Sequence, residues 1–416
     1  MNTKAVRLHD ADELTLDSFE LPEITADEIL LKVEADSICN STYKAVKQGG
    51  RHKRVPEDIK ENPIIVGHEM CGEIVKVGDN LKNDWKEGQT IIIQPALKLE
   101  SGYDPGYSYT FIGGAATYAV VPKIVLDRQC LIPFKGDGKY KGSLVESIGC
   151  VVRGFKGLYH SVLEDCSRID GPKKGGHIAI LGGAGPMGLA AAALAVNWAK
   201  ASVVTVVDID EKRLEFAKTR FPAEKAGNCK LSYVNSSGCE NVSEMLREIA
   251  GDGYDDVIVM APVAELFTIA EEICRYDGCI NFFAGPAQHS FPAAMNLYRV
   301  HYDSIHVVGT AGSTTEDTHD TVKLIEDGVI DPSIMVSHIL GLNSYVDAVY
   351  AMAQPNGLKK VCYTHLDLPL VALEDFEMLG KTDPMFAQLD RIVKSNGGLW
   401  CKEAEDYLLE NAPKLK

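Results

Sequence analysis

Short runs rich in Val, Ile and Thr punctuate the first third of the chain: EILLKVEA, GEIVKVG, QTIIIQP and ATYAVVP, each bounded by Gly, Pro or Asp. Such runs closed off by turn residues predict strands, and several in succession predict an antiparallel, barrel-like β domain. From about Gly176 to Gly309 the texture changes. HIAILGG, SVVTVVDID, LSYVN, DDVIVMA, CINFFAG and IHVVGT are near-continuous apolar runs separated by stretches of helical periodicity. Strands covered on both faces read this way, so a parallel βαβ sheet is predicted there. Helical spacing returns in EDTHDTVKLIEDGVI and NSYVDAVYAMAQ, and from about Ala372 to the terminal EAEDYLLENAPKLK, a helical extension. The expected architecture is α/β: a β domain of residues 1–160 and 305–416, interrupted by a doubly wound parallel sheet at residues 161–304.

Composition narrows the function classes. A chain of 416 residues exceeds one simple core and agrees with two domains. Lys+Arg number 42 against Asp+Glu 59, a formal charge of -17. That balance argues against nucleic acid and anionic membrane as partners, since both need clustered cations. No basic segment followed by an apolar one opens the chain, and the longest apolar run, LAAAALAV, is far short of a membrane span. Eleven scattered cysteines without a CxxC pair suggest free thiols in a reducing compartment. A cytoplasmic protein is expected.

The first chemical motif is IAILGGAGPMGLAAAALA, in which Gly183, Gly185 and Gly188 take the G-x-G-x-x-G spacing around Pro186 and Met187. It follows a predicted strand and opens a predicted Ala-rich helix. The first glycine allows the tight turn, the second close approach to a pyrophosphate, and the third close helix–strand packing. The next strand ends in Asp208, twenty residues beyond Gly188, placed to bond the ribose hydroxyls of NAD. A carboxylate there repels a 2′-phosphate, so NAD(H) is favoured; Arg213 keeps NADP(H) open. A Rossmann dinucleotide site is the reading.

PIIVGHEMCGEIVKVG sets His68 and Glu69 side by side, with Cys39 upstream and Glu146 in GSLVESIGC downstream. Zinc accepts thiolate, imidazole and carboxylate together. By spacing alone these donors are dispersed, and a small core cysteine with a surface His-Glu turn is the more usual reading.

The order Cys39 with NST, then GHE, GEIVKVG, GGAATYAVVP and GGAGPMG resembles the zinc-type medium-chain dehydrogenase/reductases, as far as about Leu366. The resemblance implies a GroES-like catalytic domain with an inserted Rossmann domain, and an alcohol or ketone bound to zinc in the cleft between them. Carried over, Cys39 and His68 match zinc ligands, and Glu69 matches the glutamate that ligates or swings onto the metal. Glu146 falls where polyol-dehydrogenase-like members carry a glutamate ligand, and Ser41 matches the hydroxyl that relays the alcohol proton. Two departures stand out. Residues 94–114 lack the four cysteines of a structural zinc, so none is expected; and Thr42 replaces the usual Asp or Asn, which leaves the hydrogen bond made there open.

The segment KQGGRHKRVPEDIK lengthens the interval between Cys39 and His68 relative to that family. Lys44, Arg51 and Arg54, with His52 and Lys53, form a local basic patch fit for a phosphate; a solvated loop offset by Glu57, Asp58 and Glu61 fits the residues equally. The resemblance decides it. The long loop, the missing cysteines and the C-terminal segment are similar to the L-sorbose-1-phosphate reductase branch, which implies reduction of a ketose phosphate to a hexitol phosphate. The alternatives are a dehydrogenase of free polyols or secondary alcohols, and a nucleotide-sensing protein that lost its chemistry. Retention of Cys39, His68 and Glu69 speaks against the latter. A homo-oligomer built by edge pairing of Rossmann sheets is also implied.

Overall fold

The computed structural model describes residues 1–162, 164, 165, 167–286, 288–354 and 357–416. The chain forms two compact units, one of Met1–Ser147, Thr314–Glu326 and Val336–Lys416, the other of Ile148–Ser313 and Asp327–Met335.

In the first unit an eight-stranded sheet runs in the order Val371–Ala372, Val336–Gly341, Lys359–Tyr363, Ile29–Ser37, Met70–Val77, Thr90–Ile93, Leu131–Pro133, and Tyr118–Val121 also pairs with Ile29–Ser37. Val336–Gly341 and Lys359–Tyr363 are parallel; the other pairings are antiparallel. Ile29, Leu31 and Val33 project from the central strand into a core with Ile74, Ile91, Ile93 and Val121. The end of that strand matters most for the site. Asp36 lies opposite Met70 on one side and Cys362 on the other, while Ser37 lies opposite Val361. This register brings the residue before Met70 and the start of strand Lys359–Tyr363 to either side of Ser37.

The C-terminal extension folds onto the same unit as helices Phe376–Leu379, Pro384–Ser395 and Lys402–Asn411. Trp400, fully buried, packs among Tyr363 and Phe376 and donates its indole N–H to Tyr363 Oη at 2.8 Å.

The second unit holds a six-stranded sheet in the order Lys230–Asn235, Val203–Asp208, His177–Leu181, Tyr254–Val259, Cys274–Phe282, His306–Gly309. Every pairing is parallel. The chain starts in the middle and winds outward both ways, so strand His177–Leu181 ends at the reversal point where doubly wound sheets bind ligands. Helix Pro186–Asn197 is buried from Gly188 to Val196, which is why its sequence is apolar all round. Among the described residues, no helix is long and apolar enough to cross a membrane.

Candidate functional site

Three donors converge beyond the end of strand Ile29–Ser37. Cys39 is the N-cap of helix Asn40–Gln48, in extended backbone. His68 and Glu69 are drawn into the interior ahead of strand Met70–Val77 and are 3% and 1% exposed, not a surface turn. The ligand atoms of Cys39, His68 and Glu69 lie within 4.8 Å of one another. Burial, reinforced by the charge of Glu69, pushes the Cys39 thiol up to about 12. Burial pulls His68 down to about 4, which leaves the neutral imidazole that ligates metals. The charge of Lys359 favours the thiolate but does not offset burial and Glu69; a zinc ion would, and it fits this donor set.

Neighbouring side chains fix the donors. Thr42 is buried with Oγ1 3.3 Å from His68 Nδ1, so a hydroxyl makes the contact that the sequence left open. Orienting one ring nitrogen this way fixes the other for a ligand role. Ser41 Oγ donates to Cys39 Sγ at 3.0 Å, lies 3.3 Å from His68 Nε2, and accepts the Tyr107 hydroxyl at 2.8 Å. The Glu69 carboxylate accepts from Ser37 Oγ, from Ser147 Oγ at 2.7 Å, and from Lys359 Nζ at 2.6 Å on both oxygens. Burial alone would raise the Glu69 pKa, but Lys359, His68 and these hydrogen bonds hold it below its ordinary value.

Glu146 occupies the first turn of helix Val145–Lys156, one residue before Ser147. Its charge acts on Cys39, Tyr107 and Lys359, although the close set of ligand atoms does not include it.

The basic loop divides. Arg54 pairs with Asp104 through Nε at 3.1 Å, and its guanidinium stands 5.0 Å from the centre of the Tyr107 ring. His52 stacks on the same ring at 6.0 Å, and its pKa is lowered to about 4 by burial and then by Arg54, Lys53 and Lys44. Arg51, in contrast, is exposed, with its Nε 3.5 Å from the Gln48 carbonyl. Tyr107 links loop to donors: its ring carries the loop, and its hydroxyl lies 3.2 Å from His68 Nε2 as well as bonding Ser41.

In the second unit, Gly185 is the N-cap of helix Pro186–Asn197 and Pro186 takes the first turn, followed by Met187. A Cβ on Gly188 would stand 2.1 Å from Gly183 O, so this turn closes only around glycine. Asp208 ends strand Val203–Asp208; its Oδ2 accepts Ala184 N at 3.1 Å, and its Oδ1 accepts Ile209 N at 2.9 Å. The carboxylate thus ties the turn to the neighbouring strand end. Arg213 Nη2 lies 2.9 Å from the Cβ position of Gly185, over the turn.

Sequence reasoning missed Lys359, Tyr107, Ser37 and Ser147. Lys359 and Lys360 are adjacent and both buried in strand Lys359–Tyr363. A lysine pair inside an apolar strand signals a buried counter-charge only once that strand is known to be central.

Residues 25–128 match the Alcohol dehydrogenase GroES-like domain family, and residues 186–327 match the Zinc-binding dehydrogenase family. The chain is 43% identical over 402 residues to the mannitol-1-phosphate 5-dehydrogenase of Aliivibrio fischeri, covering 96% of this chain and 95% of that one. It is 38% identical over 416 residues to the L-sorbose 1-phosphate reductase of Klebsiella pneumoniae, covering 99% and 98%. In fold it is similar to 2R,3R-butanediol dehydrogenase from Bacillus subtilis, with a TM-score of 0.72 at 20% identity over 87% of this chain and 99% of that one.

Proposed function

Since the chain belongs to the zinc-type medium-chain dehydrogenase/reductases, an oxidoreductase family, we propose that it transfers hydride between NAD(H) and a sugar phosphate, interconverting a ketose 1-phosphate and a hexitol phosphate. The observation that carries this reading is Tyr107. It joins the hydroxyl of Ser41 at 2.8 Å to a loop bearing Arg54 and His52. The relatives named for sugar phosphates support the same substrate class.

Cys39, His68 and Glu69 would hold one catalytic zinc, with Glu146 as a further donor; residues 94–114 supply no cysteines for a structural one. Bound there, the ion supplies Lewis acidity that polarises a carbonyl or lowers the pKa of an alcohol. Ser41 receives or returns the alcohol proton, and Tyr107, which donates to Ser41, orients the hydroxyl for that relay. Thr42 holds the imidazole of His68, and Lys359 keeps Glu69 ionised. Arg54 and Lys44 hold the phosphate, with His52 closing the loop onto Tyr107. Gly183, Gly185 and Gly188 let the pyrophosphate approach the helix N-terminus, and Asp208 favours NAD(H) by repelling a 2′-phosphate. Arg213, beside Gly185, leaves NADP(H) as the alternative cofactor.

A second reading, oxidation of free polyols, draws on the Arg54–Asp104 pair, which already partners the guanidinium. Arg54→Ala separates the two. The phosphate reading expects KM to rise about tenfold or more for phosphorylated substrate only, because a charge-assisted hydrogen bond is lost; equal KM changes for both would support the second.

We propose a homo-oligomer built on the second unit's edge. Among the described residues, strand His306–Gly309 has no partner on its outer side, and Val307, Leu297, Tyr298 and Tyr302 are exposed. Pairing that edge with a second copy would cover them.

A further inference from the structure

The C-terminal extension contains a buried acid with a specific task. Glu405, on helix Lys402–Asn411, is 1% exposed. Its Oε2 accepts Lys139 N and its Oε1 accepts Tyr140 N, both at 2.8 Å, and Tyr363 Oη donates to Oε1 at 2.9 Å. Lys139 and Tyr140 open the five-residue helix Lys139–Ser143, whose N-cap, Gly138, has no side chain to offer. A helix start leaves amides without partners, and here a carboxylate from 265 or more residues away supplies the cap. A Cβ on Gly138 would lie 2.7 Å from the Tyr140 ring and 3.3 Å from Glu405 Oε2, so glycine clears the way for the visiting acid.

That short helix leads directly to the metal-site carboxylate. A Cβ on Gly142 would lie 2.4 Å from Cys71 Sγ, so the helix is seated on strand Met70–Val77, which begins immediately after Glu69. The carbonyl of Ser143 lies 3.3 Å from Ser37 Oγ, the same hydroxyl that meets Glu69. Four residues on, Ser147 Oγ donates to Glu69 at 2.7 Å, and Glu146 stands between. Two of the three side chains that grip Glu69 thus depend on where residues 139–147 sit.

We infer that Glu405 is a positioning residue for the metal site: by capping helix Lys139–Ser143 it fixes Ser143 O, Glu146 and Ser147, and through them the Glu69 carboxylate. The inference rests on the zinc reading proposed above and gives the extension a role in it. In Glu405→Gln one acceptor becomes an NH2 group that faces a backbone N–H, so the cap is half lost without a change of shape.

The test loads the full chain with Co2+. For Glu405→Gln the expected results are altered visible d–d bands and chelator-driven Co2+ release faster by on the order of tenfold, the scale found when ligand-orienting partners are removed. Trp400→Phe is the control: it removes the indole bond to Tyr363 in the same buried cluster but leaves both amide contacts. It should lower the melting temperature and leave bands and release rate unchanged. Unaltered bands and release in Glu405→Gln, or equal changes in Trp400→Phe, would overturn the inference. Should Glu405→Gln not fold, wild-type hydrogen exchange decides. Coupling is reciprocal, so metal loading must slow exchange of the Lys139 and Tyr140 amides, and unchanged exchange refutes it. A wild-type chain that binds no Co2+ would overturn the metal site itself, a result distinct from the others.

Discussion

Lys359 Nζ lies 2.6 Å from both carboxylate oxygens of Glu69, and the two side chains are 5% and 1% exposed. Removing one partner of a buried pair leaves a charge with neither water nor counter-ion. Lys359→Met is therefore expected to cost about 3–5 kcal/mol of stability, read from the chemical-denaturation midpoint, and to weaken zinc retention. An unchanged midpoint would show that Glu69 does not depend on the lysine.

Ser41 meets Cys39, His68 and Tyr107 at once. If it relays the proton, Ser41→Ala should lower kcat by about 10²–10⁴-fold with the zinc content of the wild type. Ser41→Thr, which keeps the hydroxyl, should recover much of the loss. A Ser41→Ala enzyme with normal kcat would remove Ser41 from the relay.

All six strands of the parallel sheet and four of the eight in the first unit's large sheet were legible because their signal is local: alternation in EILLKVEA, unbroken apolarity in SVVTVVDID, and turn residues between them; Leu131–Pro133, Val336–Gly341, Lys359–Tyr363 and Val371–Ala372 were not read as strands. The dinucleotide turn was legible for the same reason, since Gly183 to Gly188 is contiguous. The metal donors were different. Cys39 and His68 are 29 positions apart and gained meaning only from resemblance; the fold supplies the 4.8 Å proximity. Lys359 was invisible because its partner lies 290 residues away, and only the pairing of strand Lys359–Tyr363 with Ile29–Ser37 brings them together. The basic run looked uniform in sequence, yet the loop turns Arg54 onto Tyr107 and Arg51 into solvent. Glu405 belonged to an amphipathic helix whose one buried acid nothing local distinguished from its exposed ones.

His160 in the second unit lies 3.0 Å from Asp256 Oδ1 through Nε2 and 2.9 Å from the Asp277 carbonyl through Nδ1. Burial lowers its pKa, but the hydrogen bond and charge of Asp256, with the Asp277 carbonyl, outweigh burial and raise it above 6.5. A histidine raised in the folded state contributes stability that is fully present below pH 6.5 and is lost as pH climbs through the folded pKa. Melting temperature measured across that climb should fall more steeply for the wild type than for His160→Gln. Parallel slopes would show that the imidazolium contributes nothing.

The most direct measurement is NAD(H)-linked turnover of the wild-type enzyme on matched phosphorylated and free hexitols and ketoses, with zinc determined on the same sample. The expected result is one zinc per chain and turnover confined to, or far faster with, the phosphorylated members. Equal or faster turnover of the free sugars, or full activity without zinc, would contradict it.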